Sequence, residues 1–156
     1  MNDTQVSLSA YSRLIRENRN FRLLWLAQSV SEIGDWLYTV AIYSLLLEFT
    51  GSAQSIAIAF VLQVLPQFFA APMAGVLNDR LSRKRIMIFA DWSRALIVLG
   101  MLVVRTPAAV WFLYILLALE TVMWALFEPG RAALVPNITS ETERIVANSL
   151  SSATWL

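Results

Sequence analysis

Twenty-three consecutive residues, 55–77, contain no Asp, Glu, Lys or Arg. As a helix rising about 1.5 Å per residue, that stretch is long enough to cross a hydrocarbon core of about 30 Å, and an uncharged run of this length is the cleanest signal for a bilayer span. The rest of the chain agrees. Hydrophobic residues make up 58% and charged residues only 15%, where soluble domains carry about 25% charged residues. Three further runs are apolar enough to join it. Residues 21–47 precede it, 86–104 follow with Asp91 and Arg94 inside, and 108–127 carry Glu120. We read these as transmembrane helices one to four, in the order 21–47, 55–77, 86–104 and 108–127. Arg105-Thr106-Pro107 leaves room only for a tight hairpin between the third and fourth. A last apolar-leaning run, 145–156, is the start of a fifth span that the sequence does not complete.

The basic residues orient the stack, because short loops rich in Lys and Arg stay on the cytoplasmic side. Arg13, Arg16, Arg19 and Arg22 precede the first span, Arg80, Arg83, Lys84 and Arg85 separate the second from the third, and Arg131 and Arg144 follow the fourth. Ten of the 12 basic residues thus share one side. The amino terminus is expected to be cytoplasmic, with 1–20 forming a short interfacial helix and 78–85 and 128–144 forming cytoplasmic loops. Sequons at Asn2 and Asn137 would lie on that side and stay unglycosylated. A formal charge of +1 gives no reason to expect a nucleic-acid partner, and a chain with no Cys and no His can build neither a thiolate or imidazole metal site nor a Cys or His catalytic pair. No metal, no cofactor and no enzymatic activity are expected; an intramembrane hydrolase would need Asp35 and Glu120 as an aspartyl pair.

Acids inside the spans carry the functional reading. Glu32 and Asp35 lie within about 3 Å of the midpoint of the first span and share a face at i, i+3. The face continues as Gln28, Glu32, Asp35, Thr39 and Tyr43, with Leu23, Leu26, Val30, Ile33, Leu37 and Val40 around it. An uncompensated acid in lipid costs about 2.5–3.5 kcal/mol or more, so this stripe must face protein or water. Glu120 lies within about 4 Å of the midpoint of the fourth span, one turn from Trp124. Two readings follow: the carboxyls fix helix packing, or they form a proton relay or cation site, which burial and mutual coupling would tune toward the physiological range. The second is favoured, with Trp36, Tyr43 and Trp124 as aromatic surface for a cation. Asp91 and Arg94, also i, i+3, read instead as a self-neutralising pair within the third span. In the second span, Pro66 and Pro72 invite bending and Ala71-x-x-x-Gly75 offers a small-residue face for another helix.

The segment Gly75-Val76-Leu77-Asn78-Asp79-Arg80-Leu81-Ser82-Arg83-Lys84-Arg85 resembles the signature loop of the major facilitator superfamily: a glycine, three residues, Asp-Arg, then a basic cluster between the second and third spans. On physical grounds alone, Gly75 permits close contact, Asp79 can cap or pair, and Arg80, Arg83, Lys84 and Arg85 hold the loop in the cytoplasm, as any positive-inside loop would. Ser82 stands where the superfamily most often has glycine, a feature similar to its macrolide- and enterobactin-exporter-like branch of drug:proton antiporters. Asn18-Arg19-Asn20-Phe21-Arg22-Leu23-Leu24-Trp25 and Phe127-Glu128-Pro129-Gly130-Arg131-Ala132-Ala133-Leu134-Val135-Pro136 resemble that branch too. The mid-helix arginine motif of many proton-coupled antiporters is absent, since 108–127 contains no Arg.

The resemblance implies an all-α membrane protein of the inner membrane: the amino-terminal part of a twelve-helix fold, with four complete transmembrane helices and the start of a fifth. It implies that the first and fourth spans line a central cavity. Asp79 and Arg83 would form a charge lock with Glu128 as partner. The function expected is secondary active efflux of a neutral or cationic amphipathic small molecule by alternating access, coupled to protons. Its partners would be the lipid bilayer, that substrate, protons and the remainder of the transporter. The isolated chain is expected to be inactive. A non-transporting membrane scaffold is the alternative.

Overall fold

A computed structural model describes residues 8–154 of the chain. The sequon at Asn2 and the last two residues of the 145–156 run lie outside the described residues. All the regular structure among the described residues is helical: α1 (Leu8–Glu17), α2 (Arg19–Thr50), α3 (Ala53–Arg80), α4 (Arg83–Met101), α5 (Val110–Ile138) and α6 (Glu141–Thr154), with a 3₁₀ turn at Pro107–Ala109 before α5.

Local chemistry sets the helix ends. Asn18 caps α2, its Oδ1 accepting the Phe21 N–H at 3.0 Å, which satisfies one of the amides that a helix start leaves without an internal partner. Gly51, at φ +62°, ends α2 in the left-handed region, and its N–H reaches the Leu47 carbonyl at 2.8 Å. Other residues enter that region at a cost, so glycine suits this stop. Ser52 then caps α3 by accepting the Gln54 N–H at 3.2 Å. At α6, the Ser140 N–H donates to the Glu143 carboxylate at 2.9 Å, as does its hydroxyl at 2.9 Å. This Ser-x-x-Glu spacing is a capping box.

Three expectations about extent change. Residues 78–85, anticipated as a loop, are helical except at Leu81 and Ser82, since α3 runs to Arg80 and α4 starts at Arg83. Residues 128–144, anticipated as a loop, are mostly helix: α5 runs through Pro129 and Gly130 to Ile138. Pro129 removes one intrahelical donor without ending the helix. Ala132, Ala133 and Leu134 beyond it favour helix, and the terminal carbonyl of Ile138 is satisfied by Asn18 Nδ2 at 2.7 Å. The expected four complete transmembrane helices are also reduced. Only Ala53–Arg80 and Pro107–Ile138 are long and apolar enough to cross a membrane by composition among the described residues. The cause is chemical: α2 carries Gln28, Glu32 and Asp35 at mid-length, and α4 carries Lys84, Arg85, Asp91 and Arg94.

The described residues divide into two compact units, those within Met1–Thr39 and Ala132–Leu156 and those within Val40–Arg131. In the first unit, Ala10, Leu14, Phe21, Val135, Val146 and Ala147 form the core, with Tyr11, Trp25 and Leu150 against it. The apolar face of α1 is therefore spent on protein. Leu14 is 2% exposed, so α1 packs against α6 where an interfacial helix would bury that face in lipid. Arg22 turns its guanidinium back onto the Ile15 and Arg16 carbonyls at 3.3 and 3.2 Å, capping the end of α1. Trp25 Nε1 donates to Thr154 Oγ1 at 3.0 Å.

Glu143 belongs to this unit, and its carboxyl is held below its ordinary value of 4.5, chiefly by the Ser140 N–H. Burial opposes the shift; the Ser140 hydroxyl, the Asn18 amide and the Arg13 charge add to it. A group whose folded value is depressed stabilises the fold above its unfolded value and loses that contribution as pH falls through the folded one. The thermal midpoint of the wild type should therefore exceed that of Glu143→Gln at neutral pH, with the gap closing as the pH falls below 4.5. A gap that stays constant with pH would show that the carboxylate charge is not what anchors α6.

In the second unit α3 and α5 run parallel, since Tyr114 Oη donates to the Ser55 carbonyl at 3.3 Å and Thr121 Oγ1 to the Leu62 carbonyl at 3.2 Å. α4 runs antiparallel to α5. A Cβ on Gly100 would lie 3.6 Å from Leu116, Arg94 meets Glu120, and Met87 flanks Gly130. The buried positions of α3 are small or polar, Ser55, Ala59, Ala74 and Asn78, while Phe68 (75% exposed), Phe69 and Met73 point outward. Small residues at the seam and large apolar ones outside are what a bilayer requires, because lipid removes the hydrophobic drive between helices and leaves close packing and polar rungs.

Candidate functional site

The polar stripe of α2 is on the sheltered side of that helix. Gln28 is buried, and Glu32, Asp35, Thr39 and Tyr43 are half-buried. Val30, Ile33, Leu37 and Val40 are each more than 60% exposed. A helix of a soluble protein shows the reverse, so the charged groups are turned from the surface that lipid would wet. Of the stripe, Gln28, Glu32, Asp35 and Thr39 belong to the first unit and Tyr43 to the second. Tyr43 Oη donates to Gln63 Oε1 on α3 at 2.6 Å.

The second unit holds the other acid. Glu120 on α5 is buried, and Arg94 Nε on α4 donates to its Oε1 at 2.7 Å, with side-chain exposures of 11% and 6% for Arg94 and Glu120. Arg94, read from the sequence as a partner for Asp91 on its own helix, thus reaches across to the next one. The i, i+3 rule sees only neighbours along one helix, and the register of α4 against α5 brings Glu120 to the guanidinium. An unneutralised buried charge is costly, and this pair places opposite charges together where water is scarce. Trp124, one turn on from Glu120, is half-buried.

At the other end of this unit lies the 75–85 segment. Asp79 and Arg83 pair at 3.8 Å with their side chains 78% and 44% exposed, within reach of solvent screening. Glu128 pairs with Arg131, one turn on in α5, through both carboxylate oxygens. The carboxylate expected to complete the lock is thus engaged by its own helix. Arg80, Lys84 and Arg85 are exposed. Gly75 has open space where a Cβ would stand, and the close approach anticipated there occurs at Gly130 instead, whose Cβ position is 2.9 Å from Asn78 Oδ1. Asn78 and Gly130 sit in the quoted motifs, yet composition and spacing do not single them out. Only the meeting of α3 with α5 does.

The profile of the Major Facilitator Superfamily matches residues 24–156. The chain belongs to this superfamily. Among curated proteins, it is 29% identical over 140 residues to the uncharacterized MFS-type transporter YfiS of Bacillus subtilis, covering 89% of this chain and 33% of that protein. Macrolide efflux protein A of Streptococcus pyogenes is 34% identical over 125 residues, 79% of this chain and 31% of its own length. The uncharacterized MFS-type transporter YvqJ of Bacillus subtilis is 28% identical over 134 residues, 85% and 32%. The chain spans about a third of the length of these superfamily relatives. No solved structure matches it.

Proposed function

We propose that the whole protein is a secondary active transporter of the inner membrane that exports a neutral or cationic amphipathic small molecule by alternating access, in exchange for protons. In this reading α2 to α5 all cross the bilayer with the amino terminus cytoplasmic, α2 turning its polar stripe inward and α4 its Arg94. The chain supplies part of a twelve-helix body that rocks around a midplane site. Glu32 and Asp35 take up protons as substrate leaves. Glu120 is the next candidate, its protonation releasing the charge of Arg94. Gln28, Thr39, Tyr43 and Trp124 line the path, and Gly75, Asp79, Arg80, Arg83, Lys84, Arg85 and Glu128 serve the cytoplasmic gate.

The observation that carries this reading is the α2 face itself, with two half-buried acids at mid-length on a helix whose other faces expose apolar side chains. Intramembrane ionisable groups are functional by default, and acids are the residues that load and release protons. Efflux and substrate class are supported by the macrolide efflux relative. Everted vesicles holding the full-length protein and acidified inside should accumulate a macrolide, and a protonophore should abolish the accumulation. Absence of any gradient-driven flux across a panel of amphipathic compounds would leave the scaffold reading in its place.

A further inference from the structure

The α3–α5 seam contains one arrangement that the ion pairs do not explain. Asn78 is 4% exposed, and its Nδ2 donates to two carbonyls at once, Ala74 on its own helix at 2.9 Å and Leu126 on α5 at 3.0 Å. These two bonds settle the orientation of the amide, since a flipped group would turn its oxygen toward both carbonyls. The consequence falls on Oδ1, which is buried and accepts no hydrogen bond. It faces Gly130. A Cβ added there would lie 2.9 Å from Oδ1, 3.0 Å from Met87 Cγ and 3.3 Å from Met87 Sδ. An orphaned buried acceptor is costly and rare in folded proteins.

We propose that Asn78 and Gly130 form a size-matched clasp that sets the sliding register of α5 on α3. Asn78 thereby acts as a positioning residue that ties the 75–85 segment to the depth of Glu120. The chain of contact is short. Asn78 adjoins Asp79 in the signature segment, and it grips α5 at Leu126, six residues or about 9 Å from Glu120 along one continuous helix. Any side chain at 130 forces a choice. Either the amide abandons its two carbonyls, or α5 shifts away from α3 and α4 and carries Glu120 with it against Arg94. The exposed Asp79–Arg83 pair cannot impose such a register, because it joins residues one turn apart in sequence and stands in solvent. The proposal rests on the transport reading only for its rate measurement.

The test is a double-mutant cycle in the full-length protein. Gly130→Ala should lower the thermal midpoint, and Asn78→Ala on top of it should recover part of the loss, because removing the amide opens the space that the new methyl needs. The two changes should be coupled by about tenfold in the folding equilibrium, within the range seen for residues in direct contact. Additive effects, or a Gly130→Ala protein as stable as the wild type, would overturn the clasp. The positioning role is read from the pH profile of export: Gly130→Ala should displace the pH of half-maximal rate, and the double variant should return it toward the wild type. A loss of rate equal at every pH would overturn that role while leaving the clasp standing. If the wild type exports nothing under a proton gradient, the transport reading has failed, and the stability cycle still decides the clasp.

Discussion

Replacing Glu120 with glutamine in the full-length protein should cost about 3–5 kcal/mol of folding stability, the usual penalty for breaking a buried ion pair from one side. The magnitude follows from asymmetry. Arg94 is 11% exposed and its nearest carboxylate oxygen is 2.7 Å away, so neutralising Glu120 strips that compensation from a guanidinium that water barely reaches. Removing both charges is a different experiment. Arg94→Met with Glu120→Leu removes both charges of the pair and should recover most of the loss, because well-packed apolar replacements of buried pairs are often neutral or better. Thermal unfolding in detergent followed by a tryptophan signal would read both variants. A Glu120→Gln protein with an unchanged midpoint would show that α4 and α5 are held by packing alone, through contacts such as Gly100 with Leu116.

Asp35→Asn is expected to abolish proton-driven export while leaving insertion, yield and thermal midpoint near those of the wild type. Asparagine keeps the size of the side chain and most of its hydrogen-bonding ability and loses only the capacity to take up and release a proton. Asp35 lies in the middle of α2 on the sheltered face, half-buried next to exposed Trp36 and Leu37. A transporter coupled through it should become insensitive to the gradient, yet still bind substrate. Two readouts separate the cases: counterflow exchange of substrate without a proton gradient should persist, whereas uphill accumulation should vanish. Uphill accumulation at the wild-type rate would remove Asp35 from the coupling path and leave Glu32 and Glu120 as the acids to test.

These two residues also show how unevenly the sequence speaks. Asp35 is legible from one dimension: an acid in a long apolar run, on a face shared with Gln28, Glu32 and Thr39, has to be sheltered, and the structure shelters it. Glu120 is legible only in part. Its depth follows from counting along the span, but its counter-charge does not, because helical spacing links Arg94 only to neighbours on its own helix and Glu120 lies on another. α1 shows the same limit. Its amphipathic pattern establishes that one face must be buried, and the pattern reads identically whether the covering surface is lipid or α6.

Composition and periodicity by themselves determined that the regular structure of the described residues is helical, where the uncharged runs lie, and which acids stand inside them. The reason is that a bilayer punishes every exposed backbone group and every lipid-facing charge, so the rule acts residue by residue along the chain. Tertiary structure alone decided the partnerships between elements: Arg94 with Glu120, Asn18 with the end of α5, and Asn78 against Gly130. Those depend on the register of one helix against another, which is set by close packing across seams of small residues and has no signature in the spacing of either helix.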